Sequence, residues 1–319
     1  MILTIRPGAQ ERESAIVALF GVGLVGGAVL NALSRRNLDL QADLRLSWDD
    51  PGKRSADLDY ITQSLSALAS ANSTIRRVDV IWAAGRAGFG AGRAELALES
   101  EALKDVIDWT EGLRVGLGNA SFVFHMLSSA GGLFEGQRFV DGKSVPRPRR
   151  PYGEAKMAQE QLVEDLRRDM TVHVYRPSSV YGFSGVGGRA GLLNTLLDNA
   201  AKHMPSRIFG GLDTVRDYVL SSDIGKFIVQ QINKPVLASE TFLLASGKPT
   251  SVSEMLHIAS KVIGRSLYLK LDVQPSNANH ITYRMGAMPR GWQPTDLETG
   301  VRQVARQLSL SFEARVQRR

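Results

Sequence analysis

The chain has 319 residues, 43% hydrophobic and 22% charged, enough apolar side chains for a sizeable core. It contains no cysteine, which excludes disulfides, thiolate metal sites and cysteine nucleophiles and fits a reducing, cytoplasmic setting. The formal charge of +7 is spread along the chain with no lysine-rich tract or base-stacking motif, so an anionic small molecule is a better partner than nucleic acid. The five histidines are scattered without His-x-x-x-His spacing, and no metal is expected. No apolar run approaches the ~20 residues needed to cross a bilayer, so no membrane partner is expected. Met1 to Glu13 is largely polar and reads as a loose leader, not a signal peptide.

Ala15 to Phe20 is a short apolar run ending in glycine, the pattern of a buried parallel strand. Leu24 to Arg35 has helical periodicity and closes on basic residues. Asp43 to Trp48 alternates and reads as a second strand, Asp57 to Ala71 as a helix, and Val78 to Trp82 as a third strand leading into Ala83-Ala84-Gly85. A long helix is expected from Arg93 to Arg114. Ser121 to Leu127 reads as a strand delivering Ser128-Ser129, Tyr152 to Arg168 as a helix and Thr171 to Tyr175 as a strand. Such alternation predicts an α/β fold: a doubly wound, Rossmann-like parallel sheet. Beyond residue 178 the elements shorten around glycine-rich connections at 182–191 and 210–211. The expected division is 14–178 for dinucleotide binding and 179–319 for a smaller, partly interleaved substrate-binding part.

The chemistry gathers at predicted strand ends, where ligands sit in such sheets. Gly21-Val22-Gly23-Leu24-Val25-Gly26 follows a strand and opens a helix, which is the context a pyrophosphate cradle requires. An acid for the adenosine ribose is expected about 20 residues or slightly more further on. Asp49 and Asp50 are the candidates and favour NAD, whereas Arg45, Lys53 and Arg54 nearby are of the type that holds the extra phosphate of NADP. Tyr152 and Lys156 are four residues apart and share a helical face. An ammonium beside a phenol favours the phenolate and suits proton transfer at a carbinol. Ser129, just past a strand, can hydrogen-bond the substrate oxygen, with Ser128 the structural member of the pair.

On Gly21/Gly23/Gly26, Ala83-Ala84-Gly85, Ser128-Ser129-Ala130, Tyr152-x-x-x-Lys156 and Arg176 to Gly182, the chain resembles the extended short-chain dehydrogenase/reductase family, the NAD-dependent epimerase/dehydratase group. Arg216-Asp217-Tyr218 leading to Asp223, Ser246 to Ser251 and Gly291-Trp292-Gln293-Pro294 extend the resemblance over roughly residues 15 to 300. It implies that Lys156 also holds the nicotinamide ribose, that Pro177 lies against the nicotinamide, that Arg216 grips the phosphates of a nucleotide-sugar, and that Ser179 is a substrate-binding residue. It also implies a homodimer formed through the 93–114 helix and the Tyr152 helix. Three features depart from the family pattern. Roughly 30 residues separate Trp48 from Val78, too few for the usual extra strand and helix, so a trimmed sheet edge is expected. Glu99 stands near the place of the family's asparagine, and Ser179 where many relatives carry asparagine.

Ala130-Gly131 follow Ser129 where the family's sugar dehydratases carry Asp-Glu, which argues against dehydration, and double epimerisation would need a cysteine. The resemblance therefore implies an NAD(P)-dependent oxidoreductase or epimerase acting on a nucleotide-linked sugar. The alternatives are a ketone reductase with a non-nucleotide substrate and a non-catalytic NAD(P)-sensing module.

Overall fold

The computed structural model describes residues 2–7, 14–35, 39–71, 75–85, 88, 90–183, 191–235, 238–272 and 279–316. The first part of the chain runs through β1 (Ile2–Pro7), β2 (Ser14–Phe20), α1 (Leu24–Ser34), β3 (Asp39–Asp43), α2 (Pro51–Ala71), β4 (Ile75–Trp82), α3 (Arg93–Gly116) and β5 (Ser121–Leu127). It continues through α4 (Ala130–Leu133), α5 (Pro151–Glu164) and β6 (Thr171–Pro177). The remainder comprises β7 (Ser179–Tyr181), α6 (Leu192–Ala201), β8 (Ser206–Ile208), β9 (Val215–Arg216), β10 (Tyr218–Leu220) and α7 (Ser221–Ile232). It closes with β11 (Glu240–Leu244), β12 (Thr250–Ser251), α8 (Val252–Ile263), β13 (Leu269–Leu271) and α9 (Leu297–Val316).

Seven strands form the main sheet in the order β11-β6-β5-β4-β2-β1-β3. Its five central strands, from β11 to β2, are parallel. They are near-continuous apolar runs because both faces are covered. On one face α2, α3 and α5 pack Leu58, Ile61, Leu103, Val106 and Val163 against Val78, Val80, Phe122 and Phe124. On the other, α1 and α7 pack Val29, Leu33, Ile224, Phe227 and Ile228 against Val17, Leu19, Ile81 and Tyr175. This is the doubly wound sheet expected from the alternation of elements. A further core joins Tyr181, Leu193, Leu196, Tyr218, Met255 and Val301 in the later part of the chain. Among the described residues no helix is long and apolar enough to cross a membrane.

Two expectations are corrected at one edge. Met1 to Glu13 is not wholly a loose leader: Ile2–Pro7 forms β1, antiparallel to both β2 and β3. The β-branched residues Ile2, Thr4 and Ile5 suit a pleated strand, whereas the charges at 11–13 suggest a leader. Residues 8–13 lie outside the described residues, as do 184–190 of the glycine-rich connection. The second strand is Asp39–Asp43 rather than Asp43 to Trp48. Leu44, Leu46 and Trp48 alternate because they pack against the core under α2, without pairing in the sheet. Among the described residues only α2 lies between β3 and β4, so the family's extra strand and helix are missing there as expected, and the antiparallel β1 takes the place beside β2 with β3 outside it.

Candidate functional site

The site begins where β2 ends. Gly21 turns the chain with φ +87°, and a Cβ there would lie 2.5 Å from the backbone of Ala84. Gly26 faces the turn from the first coil of α1, and a Cβ there would strike the carbonyl oxygen of Gly21. These positions need glycine for the turn and for close packing of helix on strand. Gly23 faces open space: a Cβ there would meet nothing within 4 Å. The unpaired N–H groups at the start of α1 are thus open to an anion. Leu24 and Val25 are half-buried on the first turn of α1, with Val25 packed into the α1/α7 core.

A cavity of about 410 Å³ opens beside this turn. Gly21 and Gly23, Trp48 and Asp49, Trp82 to Gly85, and Glu95, Leu98, Glu99 and Ala102 of α3 line it. Trp48 meets Trp82 edge-to-face at 5.9 Å. Three carboxylates, Asp49, Glu95 and Glu99, are among the lining groups, and among the described residues the lining holds no Lys or Arg. The expectation that Arg54 could hold an extra phosphate is corrected. Its side chain is 1% exposed and is committed to Asp105 at 2.6 Å and to the Trp48 carbonyl at 2.7 Å. Lys53 lies at the surface 3.3 Å from Asp50, and Arg45 is exposed. A second, larger cleft of about 640 Å³ lies around the start of β5 and β6, but none of the candidate residues lines it. Its arginines are already offset: Arg114 by Asp169, Arg167 by Glu164 and Arg168 by Asp165.

The cavity leads directly to the tyrosine–lysine pair. Gly85 lies against the Glu99 carboxylate, where a Cβ would come within 3.3 Å of its oxygens. Glu99 Oε1 in turn accepts a hydrogen bond from Lys156 Nζ at 2.8 Å. Lys156 also donates to Gln159 Oε1 at 2.9 Å and lies 6.0 Å from the centre of the Tyr152 ring. Burial pushes the Lys156 ammonium down, but the charges of Glu99, Tyr152 and Glu160 and the Glu99 hydrogen bond outweigh it and hold the group above its usual range. Pro151 occupies the start of α5, where its fixed φ suits the first turn. The preceding Arg150 is anchored by Glu135, with Nε–oxygen distances of 3.0 and 2.9 Å.

Ser129 caps the short helix α4, its Oγ accepting from Gly132 N at 3.1 Å. A hydroxyl that accepts one bond keeps its proton to donate. The Tyr152 ring covers that same Gly132, where a Cβ would come within 3.0 Å of ring carbons. A continuous path of contacts therefore joins Gly21, Ala84 and Gly85 to Glu99, Lys156, Tyr152 and Ser129. Ser128 is buried in the strand-end backbone, its N–H donating to Tyr175 O at 2.8 Å.

Pro177 is buried at the end of β6, opposite Leu244 of β11. Ser179 follows, half-buried, its N–H bonded to Asp217 O at 3.0 Å. Asp217 ties this region together, accepting from Ser178 Oγ at 2.6 Å, Ser246 N at 2.8 Å and Ser246 Oγ at 2.9 Å. Burial pushes its carboxyl up, against those bonds. Arg216, the neighbouring residue, is half-buried near Tyr218, Glu135, Arg150 and Tyr283, and burial pushes its guanidinium down. Sequence reasoning assigns no role to Gln159, Glu135 or Asp217. Gln159 is accessible to it as the i+3 neighbour of Lys156, whereas Glu135 meets Arg150 only through the fold.

The sequence model of the NAD dependent epimerase/dehydratase family matches residues 18–245. A Methanocaldococcus jannaschii protein provisionally named UDP-glucose 4-epimerase is 28% identical over 189 residues, 56% of this chain and 61% of that protein. The chain thus spans less than two thirds of that relative's length. UDP-glucose 4-epimerases from Thermus thermophilus, in complex with NAD, and Thermotoga maritima, with UDP-glucose, share the fold. Their TM-scores are 0.71 and 0.72 and their identities 17% and 19%, covering 92% and 93% of this chain and 98% and 99% of theirs. With most of its length matched by that family model, the chain belongs to the NAD dependent epimerase/dehydratase family.

Proposed function

We propose that the protein binds NAD and acts as an oxidoreductase or epimerase at a hydroxyl-bearing or keto carbon of a nucleotide-linked sugar. The observation that carries this reading is the contact path from the glycine turn through Glu99 to Lys156, Tyr152 and Ser129. The residues present fit the cofactor. Gly21, Gly23 and Gly26 leave an open cradle at a helix start, and Asp49 offers a carboxylate for ribose hydroxyls on the cavity wall. The carboxylate of Asp49 on the cavity wall supports NAD over NADP, because a 2′-phosphate beside it would meet like charge. Bound NAD supplies the hydride acceptor.

The chain's own residues handle the proton. Tyr152 takes the hydroxyl proton of the carbinol and returns it to the ketone. Lys156 holds a positive charge beside the phenol, and Ser129 donates to the substrate oxygen and orients it. Pro177 and Ser179 border the reacting ring, and Arg216 offers its guanidinium to the phosphates. The part from residue 179 onward covers the substrate. Exposed Met157 and Leu162 on α5, which packs against α3, support pairing of two copies through these helices.

The names of the relatives make UDP-glucose the first substrate to test. Incubating the protein with NAD and UDP-glucose, and resolving the products by anion-exchange chromatography, should yield the C4 epimer. Formation of NADH at 340 nm in its place would identify a dehydrogenase. No conversion across a panel of nucleotide-sugars, despite NAD binding, would overturn the reading.

A further inference from the structure

The ammonium of Lys156 is among the most deeply placed charges of the molecule, with 7% of its side chain exposed, and its counter-charge is Glu99, with 8% exposed. The two belong to different helices, α5 and α3. Gln159 braces both, donating from Nε2 to Glu99 Oε1 at 3.3 Å and to Ser100 Oγ at 3.2 Å while accepting from Lys156. The other acid near the lysine, Glu160, is already held by Arg176 of β6 at 3.0 and 2.6 Å. Glu99 also borders the cavity beside Gly85.

We propose that Glu99 is a positioning residue for Lys156: its buried carboxylate fixes the ammonium between Tyr152 and the cofactor cavity and supplies its counter-charge. A buried ammonium without an acid beside it sheds its proton, because desolvation penalises the charged form. Glu99 opposes that loss and gives the flexible lysine arm one direction. A neutral side chain would hydrogen-bond the lysine without compensating its charge. The carboxylate therefore keeps the buried Lys156 cationic.

The decisive variant is Glu99→Gln, which keeps an acceptor oxygen and removes the charge. In the wild type Lys156 is held above its unfolded value, so its contribution to stability is present at neutral pH and is lost only as pH rises through that raised value. In the variant, which loses the largest charge opposing burial, we expect the folded value to drop below that of the unfolded chain. Between those two values the unfolded chain binds the extra proton, so the variant gains stability relative to wild type as pH rises. The gap in thermal midpoint should be widest near neutral pH and should narrow towards about pH 10. A gap of constant size would mean that Glu99 only ties α3 to α5, and would sink the proposal whether or not turnover is known.

The second readout rests on the proposed redox activity. The alkaline limb of kcat/KM should move down by about one pH unit or more in Glu99→Gln. It should stay in place in Glu99→Asp, which keeps the charge and covers the case in which Glu99→Gln does not fold. An unmoved limb in Glu99→Gln, or an equal shift in Glu99→Asp, overturns the proposal. A wild type that turns over no nucleotide-sugar overturns the functional reading alone.

Discussion

Helix α3 carries two carboxylates six residues apart that each meet a buried cation, and the two pairs differ in what they leave in contact with water. Glu99 is itself buried, faces Lys156 across the α3/α5 seam and borders the cavity. Asp105 is 39% exposed and reaches the fully buried Arg54 of α2, whose other bond closes the loop at Trp48. One pair places a charge beside the cavity and Tyr152, and the other ties α2 to α3 beside Trp48 on the cavity wall. A cation near a cofactor cavity is therefore not by that fact a phosphate ligand: the partner it already has decides its role. The two sides of α3 make different predictions, and each can be broken separately.

The largest effect belongs to the chemical side. Tyr152→Phe removes the hydroxyl proposed to move the proton while keeping the ring over Gly132. Turnover should fall by about 10² to 10⁴-fold, while NAD still quenches the fluorescence of Trp48 and Trp82 on the cavity wall. Turnover within threefold of wild type would remove Tyr152 from the mechanism. Gly26→Val comes next, because its side chain would drive into the Gly21 carbonyl and open the cradle. NAD quenching should be lost, and a variant that binds NAD as the wild type does would show that the turn is not the cofactor's seat.

The chemical side is the more legible in sequence for a physical reason. Each of its parts is local: a glycine turn between an apolar run and a periodic helix, a serine just past a strand, and a tyrosine and lysine one helical turn apart. The wall side depends on contacts distant in sequence. Ile2–Pro7 is a strand because β2 and β3 flank it, and Leu44 to Trp48 fails to be one because α2 offers a better burial for the same alternating side chains. The position of Glu99 stands out in sequence as a departure from the family pattern, but its partner becomes visible only when α3 meets α5.

The N-terminal edge tests that lesson. In Ile5→Pro the strand loses an N–H and gains a ring, and β1 is hydrogen-bonded on both sides, so a ladder bond is lost whichever neighbour receives it. Urea unfolding should show a loss of about 3 kcal/mol, with the Tyr152 chemistry retained in the folded fraction. An unchanged urea midpoint would return residues 2–7 to the status of a leader.

Arg54→Met should have the smallest effect and is the sharpest test of the wall pair. The methionine fills much of the buried volume, and the half-open carboxylate of Asp105 can take water in place of the guanidinium. The Trp48 carbonyl, by contrast, loses its charged donor. The net cost should be about 1 to 2 kcal/mol, the scale of one hydrogen bond to a charged group. The ratio of NAD to NADP affinity, measured by the same fluorescence, should not change, because the arginine is already held by Asp105 and the Trp48 carbonyl. A selective loss of NADP binding would show instead that Arg54 leaves Asp105 to meet a phosphate, and the division of α3 into a chemical and a structural side would fail at its weaker end.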